Sequence, residues 1–406
     1  MNEKQNTIDR RNFLKTAGAA GLSSVLASTG RINAEEKSQK TKYPQLPKRK
    51  LGKTKIEVPC LSFGTLRVDA ENQMLLRRTF HLGVNYWDTA HGYSGGNCEL
   101  GIGKFLSKNP DVRKKLFLVT KASGAKTAKE IEQRLQLSLK RMHTDYIDLY
   151  FAPHGASDPA QFTDELRRWA KNAKKRKLIR FFGFSTHKNM AKCLAAAAKL
   201  DWIDVIMTSY NFRLMQDTSM KAAIDACHKA GIGLIAMKTQ GRRQKIETEE
   251  DKKLAKHFLQ RGFTEGQAKI KVILEDKRFS SACVGMENIA TVDSNVAAVL
   301  DKTKLTQADR EAFKRYAQAT CSGYCAGCAN ICDSALPDMP YISDIMRYLM
   351  YYNGYGEKRM AKELFAEIPN SIKGKLLNTD YTAAEACCPQ HLPIGKLVAE
   401  AVIKLS

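Results

Sequence analysis

A chain of 406 residues that is 43% hydrophobic has enough apolar material for one large core and a smaller satellite region. Its formal charge of +24 favours contact with anionic surfaces, but the basic residues are scattered over predicted helices and do not cluster with aromatics, which excludes a nucleic-acid reader. No uninterrupted apolar run approaches the roughly 20 residues that cross a bilayer, which excludes an integral membrane protein beyond its start.

The chain opens with Asp9-Arg10-Arg11-Asn12-Phe13-Leu14-Lys15, followed by a mild Gly/Ala/Ser-rich stretch from Thr16 to Thr29. Together they have the form of a twin-arginine export signal, with Ala34 ending a cleavage site, so residues 1–34 stand apart from the fold and the mature chain is expected outside the cytoplasm. Asp9 stands where such signals usually carry Ser or Thr. The leader holds five basic and two acidic residues, leaving +21 on the remainder.

Residues 48–59 hold a Gly-Lys turn between short extended runs and predict a hairpin that closes a barrel floor. Eight β-branched and aromatic runs then recur, at 60–65, 85–90, 116–122, 146–154, 179–186, 204–211, 232–239 and 280–285. Segments of helical periodicity, such as 128–142 and 190–200, separate most of them. Strand and crossover helix in alternation mean a parallel sheet, and eight units predict closure into a (β/α)₈ TIM barrel over 48–318. A doubly wound open sheet lacks its mark, since no G-x-G-x-x-G turn follows the first strand. Past residue 318 the pattern is mainly helical, and 319–406 holds six of the eleven cysteines.

The run Gly83-Val84-Asn85-Tyr86-Trp87-Asp88-Thr89-Ala90-His91-Gly92-Tyr93, with Val119-Thr120-Lys121 and Phe151-Ala152-Pro153-His154 downstream, resembles the aldo-keto reductase superfamily over the whole barrel. The resemblance implies hydride transfer between a nicotinamide cofactor, NADP or NAD, and a small carbonyl or alcohol substrate, with Asp88, Tyr93, Lys121 and His154 as the catalytic set. The physical argument agrees. Asp88, Lys121 and His154 fall near the C-terminal ends of strands two, three and four, the face on which such barrels build active sites. A carbonyl that accepts hydride needs a proton, and a phenol with an ordinary pKa of about 10 is a poor donor. Lys121 beside Tyr93 is expected to lower it, Asp88 to hold the ammonium, and His154 to orient the carbonyl oxygen.

The same resemblance implies close cofactor approach at Gly64 and Thr65, a carboxamide contact at Ser185 with Thr186 in place of Asn and Met207 in place of Gln, and an aromatic near the ring at Tyr210. Lys238 and the Gly241-Arg242-Arg243 loop suit a pyrophosphate by their charge at the barrel mouth, and the resemblance implies adenine contact from Asn295 and cofactor contact from Asn288. Thr291 and Gly285 stand where many relatives carry Arg and Lys against the 2′-phosphate, which leaves NADP, NAD or loss of binding open. The tail, Cys321-x₃-Cys325-x₂-Cys328-x₃-Cys332 with Cys387-Cys388-Pro389, resembles the ferredoxin-like tail on a branch of the same superfamily and implies one 4Fe-4S cluster on Cys321, Cys325 and Cys328 with Cys332 or Cys388. An extra residue in the first gap and Asp333 in place of Pro depart from that pattern, and zinc or disulfides are the alternatives. Other function classes kept open are a catalytically silent exported barrel that binds a ligand, and an electron-transfer protein with a redox protein partner.

Overall fold

The computed structural model describes residues 45–241 and 248–406, so the twin-arginine segment and the Arg242-Arg243 pair lie outside the described residues. The hairpin forms as β1 (Lys48–Lys50) and β2 (Glu57–Pro59), paired antiparallel with Lys50 opposite Glu57. The strands β3 (Leu61–Gly64), β4 (Tyr86–Asp88), β5 (Phe117–Lys121), β6 (Ile147–Ala156), β7 (Ile179–Thr186), β8 (Val205–Ser209), β9 (Gly233–Met237) and β10 (Phe279–Gly285) follow. All eight pair in parallel with their sequence neighbours, and β10 pairs with both β9 and β3, closing the barrel. The eight expected strands are therefore the eight observed.

The two-residue period of a strand sorts their side chains into two cores. Tyr86, Phe117, Val119, Leu149, Phe151, Val205, Met207, Ile235 and Cys283 fill the barrel, with Leu51 and Val58 from the hairpin segment among them as its floor. The alternate residues Trp87, Leu118, Tyr150, Phe182, Ile206 and Leu234 face the surrounding helices. The helix Ala128–Arg141 is entered through a reciprocal cap in which Thr127 accepts from the Glu130 backbone and Glu130 from the Thr127 backbone. Its apolar stripe of Ile131, Leu135 and Leu139 is buried. Continuing the inward register one step past Tyr86 and Val119 sets Asp88 and Lys121 into the barrel mouth.

The tail is helical, with segments Ala329–Ala335, Ile342–Met350, Lys358–Ala366, Thr382–Cys387 and Ile394–Leu405. It packs on the loops that follow the strands. Tyr324 Oη accepts from Asn211 Nδ2 at 2.8 Å, Lys188 Nζ lies 2.6 Å from Asp344, Lys238 Nζ lies 2.8 Å from Tyr351 Oη, and Arg67 Nη2 lies 2.6 Å from Glu357. Residues 66–67, 188, 211 and 238 follow β3, β7, β8 and β9, so the tail covers the C-terminal face of the barrel. Among the described residues no helix is long and apolar enough to cross a membrane.

Candidate active site

Lys121 organises the mouth. Its ammonium is 1% exposed and donates to Asp88 Oδ1 at 2.5 Å, to the Thr89 carbonyl at 2.7 Å and to Tyr93 Oη at 3.4 Å. Burial disfavours its charge, but Asp88 and Tyr93 outweigh that and hold the ammonium above its ordinary range. Asp88 is pushed up by burial and drawn back by Lys121, and its Oδ2 is buried with no partner among the described residues. Tyr93 reaches the pair from a tight turn in which Ser94, Gly95 and Gly96 take φ of 49°, 65° and 98°. The sequence argument expected a lowered phenol. Burial instead raises Tyr93 to about 12, with Lys121 pulling against it, so the resting phenol keeps its proton.

His154, near the end of β6, meets Tyr93 edge to face with ring centroids 6.0 Å apart. Its Nδ1 lies 2.9 Å from Ser123 Oγ, which accepts from the Gly92 N–H at 3.1 Å. With that hydroxyl donating to Nδ1, the ring proton sits on Nε2 as a donor. Ser123 thus ties His154 to the Tyr93 turn, a role that its place two residues after Lys121 hints at only once the strand end is known. Burial and the Lys121 ammonium hold His154 down to about 3, and burial with Arg141 and Arg134 holds His91 to about 4. Between these values and the ordinary histidine range the unfolded chain binds more protons than the folded one, so stability falls as pH drops from about 7 towards 3. His154→Gln is expected to flatten that fall in denaturant melts taken at each pH, and an unchanged slope would refute a neutral buried imidazole.

The expected cofactor residues divide. Gly64 and Gly285 occupy one register position on adjacent strands at the mouth. A Cβ built on Gly64 would meet nothing closer than 3.4 Å and one on Gly285 nothing within 4 Å, so packing does not require either glycine. They leave a bare backbone shelf. Ser185 Oγ accepts from the Gly155 N–H at 3.2 Å and has its own proton left to donate. Asn288 caps the helix Ile289–Leu300 by accepting from the Thr291 N–H, and Asn295 Nδ2 is buried with no partner among the described residues. Bare backbone at Gly64 and Gly285, an orphaned amide and an orphaned carboxylate oxygen fit a dinucleotide in their chemistry.

Other expected contact residues are engaged within the chain. Thr65 bonds through both its N–H and its hydroxyl to the Asp88 carbonyl, at 2.9 and 3.0 Å, so both its donors are held by the strand that carries Asp88. The Thr186 hydroxyl donates to the Ala156 and Lys188 carbonyls and is fully buried. Tyr210 turns into the core, stacked on Phe279 at 4.3 Å with its hydroxyl 2.8 Å from Asp276, because burying its ring there also pairs its one polar atom. Lys238 engages the tail phenol of Tyr351. His187, unassigned from sequence, lies within electrostatic reach of Lys238, Arg347, His154 and Lys121.

A family model described as the aldo/keto reductase family matches residues 61–317. The chain belongs to the aldo/keto reductase family. Its similarity to an aldo-keto reductase of Schizosaccharomyces pombe named with NADP(+) is 27% over 219 residues, and to an aldo-keto reductase of Alternaria alternata 25% over 202. The matched part spans 62% and 55% of those relatives and 48% and 41% of this chain. The holo form of an aldo-keto reductase from Bacillus halodurans superposes with a TM-score of 0.56 at 23% identity, covering 67% of this chain and 96% of that one, a likeness of fold. The family match ends at residue 317, just before the cysteine tail.

In that tail, Cys325, Cys328, Cys332 and Cys388 line one small apolar cavity with Ile331, Ile342, Met346, Leu392 and Ile394. Cys321, expected among the ligands, lies in a short turn at Cys321–Gly323 and does not line it. Burial raises the Cys325 thiol to about 11 and that of Cys328 to about 12. Among the described residues no three His, Cys, Asp or Glu side chains converge as ligands of one metal ion.

Proposed function

We propose that this member of the family is an exported NAD(P)-dependent oxidoreductase that interconverts carbonyls and alcohols. The observation that carries the reading is the convergence of Asp88, Lys121, Tyr93 and His154 at one mouth of the barrel. A bound nicotinamide supplies the hydride chemistry, and the shelf of Gly64 and Gly285 with Ser185, Asn288 and Asn295 would hold it. His154 orients the carbonyl oxygen by donating from Nε2. Tyr93 then donates its proton to that oxygen as negative charge builds there, because an alkoxide is a stronger base than even a raised phenolate. Lys121 stabilises the phenolate left behind, and Asp88 keeps Lys121 charged and aimed. Titration of the anaerobically purified chain with NADPH and with NADH, followed by quenching of Trp87 beside Asp88, tests this. Saturable binding of either is expected, and no binding of both by folded protein free of carried-over cofactor would overturn it.

The tail in this reading carries one 4Fe-4S cluster on Cys325, Cys328, Cys332 and Cys388, serving as a relay to a redox protein or as a structural clip. Four thiols around an apolar space, not drawn to a point, suit a cluster of several atoms better than one zinc ion. Metal must displace the protons that burial holds on Cys325 and Cys328, so loading will be pH-dependent. Cys388→Ser is expected to lose the bound iron and acid-labile sulfide, while Cys321→Ser keeps both. Equal iron in the two variants, or none in the parent after anaerobic reconstitution, would remove the cluster. Export by the twin-arginine route predicts that Arg10→Lys with Arg11→Lys retains the protein in the cytoplasm on cell fractionation.

A further inference from the structure

Several buried cations in this chain pair with carboxylates: Lys121 with Asp88, Arg113 with Asp148 at 2.9 Å and Lys269 with Glu265 at 3.5 Å. Two cations where the tail meets the barrel, a buried arginine and a partly buried lysine, do not. Lys238, directly after β9, and Arg347, on the helix Ile342–Met350, both donate to the hydroxyl of Tyr351, and among the described residues neither forms an ion pair. Lys238 Nζ also sits 4.1 Å from the centre of the Tyr351 ring and 5.5 Å from that of Tyr355. The Tyr355 hydroxyl is buried with no partner among the described residues. One neutral phenol is a poor counterpart for two desolvated positive charges.

We propose that the tail completes the barrel mouth with a subsite for the carboxylate of a carbonyl substrate, gripped between Lys238 of the barrel and Arg347 of the tail. The site adjoins the catalytic side of the mouth: His187, directly after β7, has its Nδ1 3.2 Å from Ser209 Oγ, Ser209 is level with Met237 just before Lys238, and His154 is level with Ser185 two residues before His187. The excess positive potential is visible on Tyr351: burial raises its phenol, yet Arg347 and Lys238 bring it to about 8. Its backbone is unusual as well. Residues Tyr351–Tyr355 form a π-helical turn, a wide geometry that concentrates at functional sites, and it brings the two tyrosine rings edge to face at 6.0 Å. Of the dinucleotide features, Gly64, Gly285, Asn288 and Asn295 lie at the ends of β3 and β10 and on the helix after β10, and Ser185 stands at the end of β7, whereas Lys238 follows β9 and meets Arg347 of the tail at Tyr351. A carboxylate entering here displaces the Tyr351 hydroxyl and pairs with both cations, a bidentate fit for Arg347. A neutral aldehyde gains nothing from either.

The proposal rests on the reductase reading, and calorimetry separates the two. The probes are 4-carboxybenzaldehyde and its methyl ester, titrated into the full chain, with NADPH titrated separately. The carboxylate is expected to bind at least tenfold tighter than the ester, and Arg347→Met or Lys238→Met to bring the two within twofold, in variants whose near-ultraviolet circular dichroism matches the parent. Two independent variants keep the test alive should one misfold. A parent that binds NADPH but shows no preference for the carboxylate overturns the subsite. So does a preference that survives in both variants while NADPH weakens tenfold, since the cations would then serve the pyrophosphate. A preference present without NADPH binding upholds the subsite and sinks the reductase reading alone.

Discussion

Tyr93→Phe is expected to lower the rate of carbonyl reduction by about 10² to 10⁴ while NADPH affinity stays within about twofold. The ring remains to pack against His154, so the fold and the bound geometry persist, and only the proton is lost. Lys121 cannot replace it. Its ammonium is already engaged by Asp88 and Thr89, and Asp88 holds its proton more tightly than a free lysine would. Single-turnover measurement of NADPH oxidation in the variant checks this, and a rate within tenfold of the parent would take the acid role from Tyr93. Reduction by the parent should hold level through neutral pH, because Tyr93 at about 12 and His154 at about 3 both titrate outside that range.

The barrel and the meeting of Asp88 with Lys121 could be read from sequence because both rest on short-range regularities. Strand periodicity of two fixes which side of β4 and β5 faces inward, so Asp88 and Lys121 follow from Tyr86 and Val119 by counting. The internal bonds of the cofactor-side hydroxyls were less legible, for a physical reason. A hydroxyl such as that of Thr65 or Thr186 has several competing carbonyls within reach, and which one it finds depends on loop shape, not on the strand it ends. Tyr210 shows the same for a ring: one residue past β8, it pairs with Asp276, 66 positions away. The tail departs furthest. Nothing in the spacing of Arg347 and Tyr351 signals that they meet Lys238, 113 residues before Tyr351, because that contact depends on how the tail docks on the barrel. Likewise, Cys321 sits in a regular cysteine run yet does not line the cavity that Cys388, 56 residues after Cys332, helps to line.

Lys121→Met is expected to destabilise the fold by about 3 to 5 kcal/mol and to abolish reduction, because it strips from a carboxylate buried in the barrel its one partner among the described residues. In the parent one oxygen of Asp88 faces Lys121 and the other has no partner among the described residues, so the variant leaves both bare. Burial already raises Asp88, and Lys121 is the main influence that lowers it, so the variant carboxyl moves further up and takes a proton. The sign of the pH dependence follows. A carboxyl whose folded pKa lies above its unfolded value binds more protons folded than unfolded, so its cost is least in acid and grows as pH rises through the folded pKa. Urea melts of Lys121→Met should therefore show a larger loss at pH 8 than at pH 5, the reverse of the histidine-driven trend in the parent. Asp88→Asn added to Lys121→Met should recover a good part of the stability at pH 8, since it removes the charge and keeps the shape. The double variant remains without turnover, having no cation to stabilise the Tyr93 phenolate. If it were no more stable than Lys121→Met, the loss would come from packing around the lysine stem, and Asp88 and Lys121 would not be the charged pair on which the proposed mechanism depends.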